Sequence, residues 1–268
     1  MSLDPFSSQK KPAIKILGAS GGKSNNKALT SLQISHNSVI DAGNLIEGLG
    51  ESLNNIENIF LTHMHLDHIV DIPFFIDNIY KTQKKPVKVY AQKQNLETLK
   101  KHIFNWDIWP DFTTIQMKNS PEFCTQFIPI QIDNKIVQDN YSITPITNNH
   151  TDHSNGFIIS KQNSSLLFTS DTYCCDTIWE KINNDTSIST VIIEVSFPST
   201  FKQLAFDTKH LTPKLLEQEL KKLKRNDVTV HINHLKPSYE QEIMDEINNS
   251  NILLNGGTIL QTNDIVYF

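Results

Sequence analysis

The sequence predicts an α/β fold in which two β-sheets pack face to face and helices cover their outer faces. Short β-rich runs alternate with amphipathic segments along the chain. Residues 190–195 form an apolar, β-branched run that suits a buried strand. Residues 213–224 place leucines at helical spacing, with a proline at the first helical position. Strands and helices occur in both halves of the chain, which favours a layered sandwich.

Local patterns predict the individual elements. A helix begins near Pro73, because proline suits the first turn of a helix but not its interior. A closing hairpin is expected from residue 252 onward, around Gly256 and Gly257. The other helices are expected at residues 96–106, 213–224 and 239–248. The strands are expected at residues 13–17, 29–35, 38–40, 56–62, 87–91, 141–146, 156–160, 165–169, 190–195 and 228–232.

The composition is ordinary for a soluble globular protein. The chain has 268 residues, of which 38% are apolar and 20% are charged. We expect residues 12–268 to form a single domain. Residues 1–11 are polar and are expected to be a disordered tail or a remnant of a cloning sequence. No stretch approaches the roughly eighteen uninterrupted apolar residues of a membrane span, so no membrane partner is expected.

The charge balance argues against a long nucleic acid as the partner. The formal net charge is −5 and Arg225 is the only arginine, whereas proteins that grip nucleic acid usually carry a basic surface. A small anionic substrate fits better, and a homodimer is left open. The three cysteines show no framework spacing, which indicates thiols in a reducing compartment. We therefore expect the protein in the cytoplasm, or in the periplasm if a signal peptide has been removed.

A dense cluster of metal-binding side chains follows the strand expected at residues 56–62. His63, His65, Asp67 and His68 lie within one run of six residues. In an extended segment the two leading imidazoles point the same way, because side chains alternate. One loop can thus offer two imidazoles to one metal ion, and a carboxylate and an imidazole to a second. Histidine and aspartate ligands suit Zn²⁺ and also admit Mn²⁺ or iron.

The spacing His-x-His-x-Asp-His after a strand resembles that of the metallo-β-lactamase superfamily. The later ligands of that superfamily have matching positions at His150, Asp171 and His234. The resemblance implies an αββα sandwich and two divalent metal ions, for which zinc is the first choice. It assigns His63, His65 and His150 to one ion, Asp67, His68 and His234 to the other, and Asp171 to a bridge between them.

A closer resemblance is to the class II 3′,5′-cyclic-nucleotide phosphodiesterases. It rests on His-x-His-Leu-Asp-His and on the segments 99–112 (LKKHIFNWDIWPDF), 194–198 (EVSFP) and 210–220 (HLTPKLLEQEL). Asp71 departs from this signature, which usually has Gly or Ser there. The resemblance implies that a hydroxide bridging the two metal ions opens cAMP or cGMP to the 5′-monophosphate. Two cations about 4 Å apart can clamp the attacking and leaving oxygens of such a displacement.

Further residues are expected to act at the site. Glu194 and His210 match positions at which related tRNA-processing nucleases pair a glutamate with a histidine that protonates the leaving group. The alternative is that Glu194 ends a buried strand and His210 caps the next helix. Asp67 is expected to serve in catalysis as well as in metal binding. Substrate contacts are expected from His102, Phe104, Asn105 and Trp106, although aromatic clusters are more often core.

Two other functions stay open. A tRNA 3′-end-processing endonuclease, or another phosphodiesterase of the superfamily, would share the ligand set, but the acidic charge and the single arginine count against long RNA. A non-catalytic metal- or nucleotide-binding protein would need no leaving-group acid, so the Glu194 and His210 pair counts against it. The sequence does not decide between cAMP and cGMP.

Overall fold

The computed structural model describes residues 5–6, 11–138 and 140–268. None of the helices in these ranges is long and apolar enough to span a membrane. The strands are β1 Ala13–Gly18, β2 Ser31–Ser35, β3 Ser38–Ile40, β4 Asn58–Phe60, β5 Val87–Gln92, β6 Thr125–Ile130, β7 Ile136–Val137, β8 Ser142–Thr147, β9 Asn155–Lys161, β10 Ser164–Phe168, β11 Ile188–Glu194, β12 Thr229–Asn233 and β13 Ile265–Tyr267. The α-helices are α1 Ile46–Leu49, α2 Leu66–Ile69, α3 Ile72–Ile79, α4 Lys93–His102, α5 Asp176–Asn184, α6 Lys202–Asp207, α7 Pro213–Leu220 and α8 Glu240–Asn248.

The chain divides into two compact units, each with a hydrophobic core of its own. Unit 1 comprises the described residues up to Gly18, together with Ala28–Gln131 and Thr262–Val266. Unit 2 comprises Ala19–Lys27, Ile132–Gln261 and Tyr267–Phe268. The single domain expected for residues 12–268 stays a prediction. The expected N-terminal tail falls mostly outside the described residues.

A seven-stranded sheet is the frame of unit 1, in the order β13-β1-β2-β3-β4-β5-β6. Strands β3 to β6 run parallel to one another, and Ile40 of β3 is paired with Phe60 of β4. The residues that follow these two strands therefore emerge side by side at the carboxyl edge of the sheet. The core beneath is built from strands and from helices α3 and α4, and includes Val39, Ile59, Val89, Phe75 and Leu99.

A six-stranded sheet is the frame of unit 2, in the order β12-β11-β10-β9-β8-β7. Strands β10, β11 and β12 are parallel, whereas β9 and β8 run antiparallel to their neighbours. The β-branched run expected to be buried is strand β11, which lies between β10 and β12 and in which Val191 pairs with Leu167 and Val230. The carboxyl ends of the three parallel strands meet at one edge, and a candidate site residue lies at or just after each of these ends.

The metal-binding loop leads into two helical segments. Helix α3 begins at Ile72 with Pro73 in its first turn, as the sequence predicts. The short helix α2 before it is not predicted from the sequence. Asp71 lies between them, and its Oδ2 accepts hydrogen bonds from the amides of Leu45 (2.7 Å) and Ile46 (3.1 Å). The carboxylate satisfies amides at the start of α1, so the departure from the Gly or Ser signature has a structural reason.

Helix α4 ends four residues earlier than predicted, at His102 rather than residue 106. Asn105 Oδ1 accepts hydrogen bonds from the amides of Asp107 (3.0 Å) and Ile108 (2.8 Å), which builds a turn. Trp106 has a φ of 70°, which no helix accommodates. An asparagine side chain competing for backbone amides therefore ends the helix.

Two further predictions about strands differ from the structure. The closing hairpin is wrong, because the turn at Gly256 (φ 81°) leads on to β13, which lies beside β1. The sequence also does not predict β6, because Pro129 lies within it. This strand is at the edge of its sheet, where proline is tolerated since no outer neighbour needs its amide.

Candidate metal centre

The His-x-His-x-Asp-His run forms one continuous loop in unit 1. His63 follows strand β4, and His65 has extended backbone (φ −65°, ψ 145°) immediately before helix α2. Asp67 and His68 lie in the single turn of that helix. The ring of His63 is 4.7 Å from that of His65 and 4.2 Å from that of His68, centroid to centroid. The change from strand to helix therefore gathers the three imidazoles, and Asp67 Oδ2 lies 3.9 Å from His68 Nε2.

Asp41 supports the buried end of this loop. It is fully buried, and Oδ2 lies 2.7 Å from His68 Nδ1. It also accepts hydrogen bonds from the amide and the hydroxyl of Thr62. Burial raises the pKa of Asp41, and these donors oppose the increase without cancelling it. Since a carboxylate only accepts, His68 carries its proton on Nδ1.

Thr62 determines which nitrogen of the His63 ring carries the proton. Its hydroxyl has one proton, which it donates to the Asp41 carboxylate at 2.9–3.0 Å. The Thr62 oxygen must therefore accept the proton of His63 Nδ1, which is 3.0 Å away. Sequence reasoning did not single out Asp41 or Thr62 as site residues. The only available signal for Asp41 was its place directly after a short strand.

His150 and Asp171 lie on adjacent loops of unit 2. The side-chain amide of Asn148 donates to the carbonyl of Asp171 (2.9 Å) and joins the two loops. His150 Nδ1 donates to the carbonyl of Lys209 at 3.0 Å, so the unprotonated nitrogen is Nε2. Burial lowers the pKa of His150 although Asp171 opposes this, and the neutral ring is the form that binds metal.

The carboxylate of Asp171 faces two imidazoles with its two different oxygens. Oδ2 lies 3.8 Å from His150 Nε2, and Oδ1 lies 3.2 Å from His234 Nε2. Asp171 is 2% exposed, and it follows the central strand β10. Two oxygens directed at two different histidines suit a carboxylate that bridges two metal ions.

His234 directly follows strand β12 in a left-handed conformation (φ 65°), and its amide donates to the carbonyl of Ala19 at 2.7 Å. Its Nδ1 lies 3.0 Å from Ser196 Oγ. The Ser196 hydroxyl donates its one proton to Glu194 Oε2 at 2.7 Å, so its oxygen accepts the proton of His234 Nδ1. Sequence reasoning missed Ser196, which sits inside the EVSFP segment.

Glu194 and His210 form a buried ion pair in unit 2. Glu194 Oε1 lies 2.7 Å from His210 Nδ1 and also accepts the amide of Thr172 at 3.1 Å. Burial lowers the pKa of His210, but the charge and hydrogen bond of Glu194 outweigh it, so the pKa lies above its ordinary value. The ring of His210 lies 5.6 Å from that of His234 and nearly parallel to it. The predicted pairing of Glu194 with His210 is therefore present as a contact.

The donor set fits a divalent metal. Four imidazoles carry their proton on Nδ1 and present Nε2 as the coordinating nitrogen, which is the orientation that outer hydrogen bonds give to metal-binding histidines. Nitrogen and carboxylate oxygen donors without thiolates suit Zn²⁺ and its first-row neighbours. The four imidazoles are those of His63, His68, His150 and His234.

The segment expected to contact substrate is divided between core and surface. Phe104 is 1% exposed and packs in the core of unit 1, so its ring offers no face to a ligand. The side chain of Asn105 accepts a hydrogen bond from an amide of the turn after α4 and donates one to the carbonyl of Lys101. His102 is exposed, and Trp106 exposes 65% of its surface.

A protein-family model described as "Anti-Pycsar protein Apyc1" matches residues 18–242, which is most of the chain. The chain belongs to the Anti-Pycsar Apyc1 family. A probable 3′,5′-cyclic-nucleotide phosphodiesterase of Yersinia pestis is 26% identical to this Apyc1-family chain over 300 residues, covering 90% of the chain and 83% of the relative. The 3′,5′-cyclic-nucleotide phosphodiesterase 1 of Saccharomyces cerevisiae is 31% identical over 74 residues, 27% of the chain and 20% of the relative.

Solved structures agree with the predicted fold. Unliganded yeast PDE1 superposes with a TM-score of 0.76 at 16% identity, covering 96% of this chain and 99% of that one. The metallo-β-lactamase fold protein YhfI of Bacillus subtilis gives 0.74 at 17% identity, with 95% and 98% covered. Human tRNase Z, short form, gives 0.64 at 14% identity, with 95% and 98% covered. The metallo-β-lactamase fold predicted for this Apyc1-family member is confirmed.

Gly21 leaves no room for a side chain next to His234. A Cβ there would lie 2.5 Å from the His234 carbonyl oxygen and 2.6 Å from its Nδ1. Gly21→Ala should therefore displace the ring, weaken zinc binding at least tenfold and lower the free energy of unfolding by about 1–3 kcal/mol. Zinc competition with a chelating dye and urea unfolding measure the two effects.

The neighbouring Gly22→Ala is the matched control, because its Cβ would meet only the ring of Pro237, at 3.0 Å and beyond. It should keep zinc affinity within about twofold of the wild type, well short of the tenfold that marks a disturbed outer shell. Equal zinc affinity in the two variants would show that the ring position of His234 does not depend on Gly21.

Proposed function

We propose that this protein is a metal-dependent phosphodiesterase that opens 3′,5′-cyclic nucleotides, cAMP or cGMP, to the 5′-monophosphates. The observation that carries the proposal is the combination of two features in unit 2. Asp171 faces two imidazoles as a bridging carboxylate would, and the nearby His210 is held by Glu194. Relatives named cyclic-nucleotide phosphodiesterases support the choice of substrate.

The proposed metal ions are two Zn²⁺, with the ligands that the family resemblance assigns. Two bound divalent ions would supply an activated water at neutral pH and neutralise the charge of the phosphodiester, which suits a chain with a single arginine. Asp67 is proposed to act both as a ligand and in catalysis. The ligands are His63, His65 and His150 for one ion, Asp67, His68 and His234 for the other, and Asp171 for both.

His210 is proposed to protonate the departing ribose 3′-oxygen. Glu194 occupies Nδ1, which leaves Nε2 as the nitrogen that can deliver a proton to substrate. The proton passes from Nε2 to the 3′-oxygen as the bond between phosphorus and that oxygen breaks. The carboxylate stabilises the cationic ring before the transfer, and its other oxygen is fixed by the hydroxyl of Ser196. Glu194 therefore orients the His210 ring so that the proton on Nε2 is the one available for transfer.

Two alternatives are separated by specific observations. A tRNA endonuclease of the same fold would have to bind a polyanion, and the net charge of −5 disfavours that. A protein that only binds metal or nucleotide would have no use for the buried pair of Glu194 and His210. A further possibility is that His210 is itself a ligand, since Glu194, His210 and His234 offer donor atoms within 4.8 Å of one another.

Incubation of zinc-loaded protein with cAMP and with cGMP, followed by separation of products, tests the function. We expect 5′-AMP or 5′-GMP and no 3′-monophosphate. Asp171→Asn should abolish turnover, whereas the control Asp176→Asn should not, because Asp176 is exposed and paired with Lys222. Cleavage of precursor tRNA without turnover of either cyclic nucleotide would assign the nuclease activity instead.

The role proposed for His210 predicts a dependence on the leaving group. General-acid help is worth about 10² to 10⁴ in rate, so His210→Ala should lose that much activity on a cyclic nucleotide. It should lose much less on bis-p-nitrophenyl phosphate, since p-nitrophenolate leaves without a proton. Elemental analysis should find unchanged zinc content. Equal losses on both substrates, or a lost zinc ion, would show that His210 is a structural residue or a ligand.

A further inference from the structure

Tyr173, Phe206 and Lys209 form an aromatic and cationic cluster in unit 2. The rings of Tyr173 and Phe206 meet edge to face, with centroids 5.7 Å apart. The ammonium of Lys209 lies 4.6 Å from the centroid of Phe206 and 5.6 Å from that of Tyr173. Contacts of this kind hold a cation against aromatic faces. The reaction proposed above uses none of these three side chains.

The cluster borders the candidate ligands of the same unit. The amide of Tyr173 donates to the carbonyl of Asn149 at 2.7 Å, directly before His150. The carbonyl of Lys209 accepts from His150 Nδ1 at 3.0 Å, and Lys209 immediately precedes His210. The backbone of Lys209 thus contacts a candidate ligand, His150, and the backbone of Tyr173 contacts the residue before that ligand.

The local structure keeps the cluster at the surface. Lys209 has a φ of 57°, a conformation that non-glycine residues seldom adopt. The amide of His210 donates to the carbonyl of Ala205 at 2.8 Å and holds this turn closed. Phe206 exposes 48% of its surface although it is aromatic. An exposed ring beside a lysine in a constrained turn suits ligand binding better than core packing.

We propose that Phe206 stacks on the base of the substrate and that Lys209 donates a hydrogen bond to the base edge, so that guanine is preferred over adenine. The proposal rests on the cyclic-nucleotide phosphodiesterase function. Aromatic rings stack on any base, so Phe206 supplies affinity without selection. Tyr173 supports Phe206 from the side.

Lys209 supplies the selection, because an ammonium group has donors and no acceptor. Guanine presents two acceptors, O6 and N7, on its major-groove edge. Adenine presents N7 beside an amino group, which is itself a donor. A lysine ammonium at this edge can donate to both N7 and O6 of guanine. On adenine it can donate only to N7, and it lies next to the amino group, which cannot accept a hydrogen bond. The amine therefore disfavours cAMP relative to cGMP.

Steady-state kinetics on cGMP, cAMP and an abasic analogue, ribose 3′,5′-cyclic phosphate with a methoxy group in place of the base, test the proposal. The wild type should prefer cGMP by about tenfold in kcat/KM. Lys209→Met should remove the preference, and Lys209→Arg should retain it. Phe206→Ala should raise KM for both nucleotides about tenfold without changing kcat. Neither Lys209→Met nor Phe206→Ala should affect the abasic analogue.

Two residues of helix α6 provide matched controls. Lys202→Met removes an exposed lysine, and Leu204→Ala removes an exposed apolar side chain that is 38% accessible. Both should behave as the wild type on all three substrates. Calorimetric binding of 5′-GMP and 5′-AMP provides a second readout, in which Lys209→Met should lose the preference for GMP.

The outcomes separate this proposal from the function on which it rests. If the wild type hydrolyses cyclic nucleotides without preferring cGMP, or if Lys209→Met retains the preference, the assignment of Lys209 is overturned and the phosphodiesterase function stands. Equal losses on the abasic analogue would overturn base recognition by Phe206 in the same way. If the wild type turns over no cyclic nucleotide, the proposed function fails and this proposal fails with it.

Discussion

Hydrogen bonds donated by the Nδ1–H groups of four imidazoles are the interactions that orient the candidate site. A histidine can coordinate metal through either nitrogen, and only an outer hydrogen bond decides which one carries the proton. Here the acceptors are a carboxylate, two hydroxyls and a backbone carbonyl, and each of them is fixed by the fold. All four rings therefore present the same nitrogen, so the ligand geometry follows from groups that never touch a metal.

The parallel strands explain why these acceptors are in place. In unit 1, Asp41 follows β3 and His63 follows β4, and the register of these strands brings the two loops side by side. In unit 2 the parallel strands β10, β11 and β12 end beside one another. Asp171 and His234 follow the ends of β10 and β12, and Glu194 is the last residue of β11. A one-residue change of register would turn each of these side chains to the other face of its sheet.

Ser196 links the candidate acid to a candidate ligand. Its hydroxyl donates to Glu194, accepts from His234 and lies 3.2 Å from His210 Nδ1. The oxygen atom of Ser196 thus connects the Glu194 carboxylate, which orients His210, to the ring of His234, which would bind metal. One hydroxyl group therefore contacts the side chains of His234, Glu194 and His210.

The sequence predicts those parts of the site and the fold that depend on residues close together along the chain. His63, His65, Asp67 and His68 could be proposed because four donors in six residues follow a strand. Buried strands such as β11 could be predicted from their β-branched runs, and α3 from its proline. These features depend on neighbouring residues alone, so one sequence contains them.

Features that depend on long-range contacts could not be predicted from local patterns, and the pairing of Glu194 with His210 was predicted only from the family resemblance. Asp41 is 27 residues from His68, and its role follows only from strand register. Ser196 and Lys209 act through partners that the fold brings together, with no local pattern to mark them. The early end of α4 depended on one asparagine side chain. Phe104 resembled a binding aromatic in the sequence, but burial in the core gives it a packing role.

Nitrogen-15 spectra of the histidine side chains show which ring nitrogen of each imidazole carries the proton. Long-range correlation spectra of histidine-labelled, zinc-loaded protein distinguish a protonated Nδ1 from a protonated Nε2 for each assigned ring. His63, His68, His150 and His234 should all carry the proton on Nδ1, and their Nε2 signals should shift when zinc is removed. A proton on Nε2 in any of these four rings, or Nε2 signals that do not respond to zinc, would show that the hydrogen bonds at Nδ1 do not select Nε2 as the coordinating nitrogen.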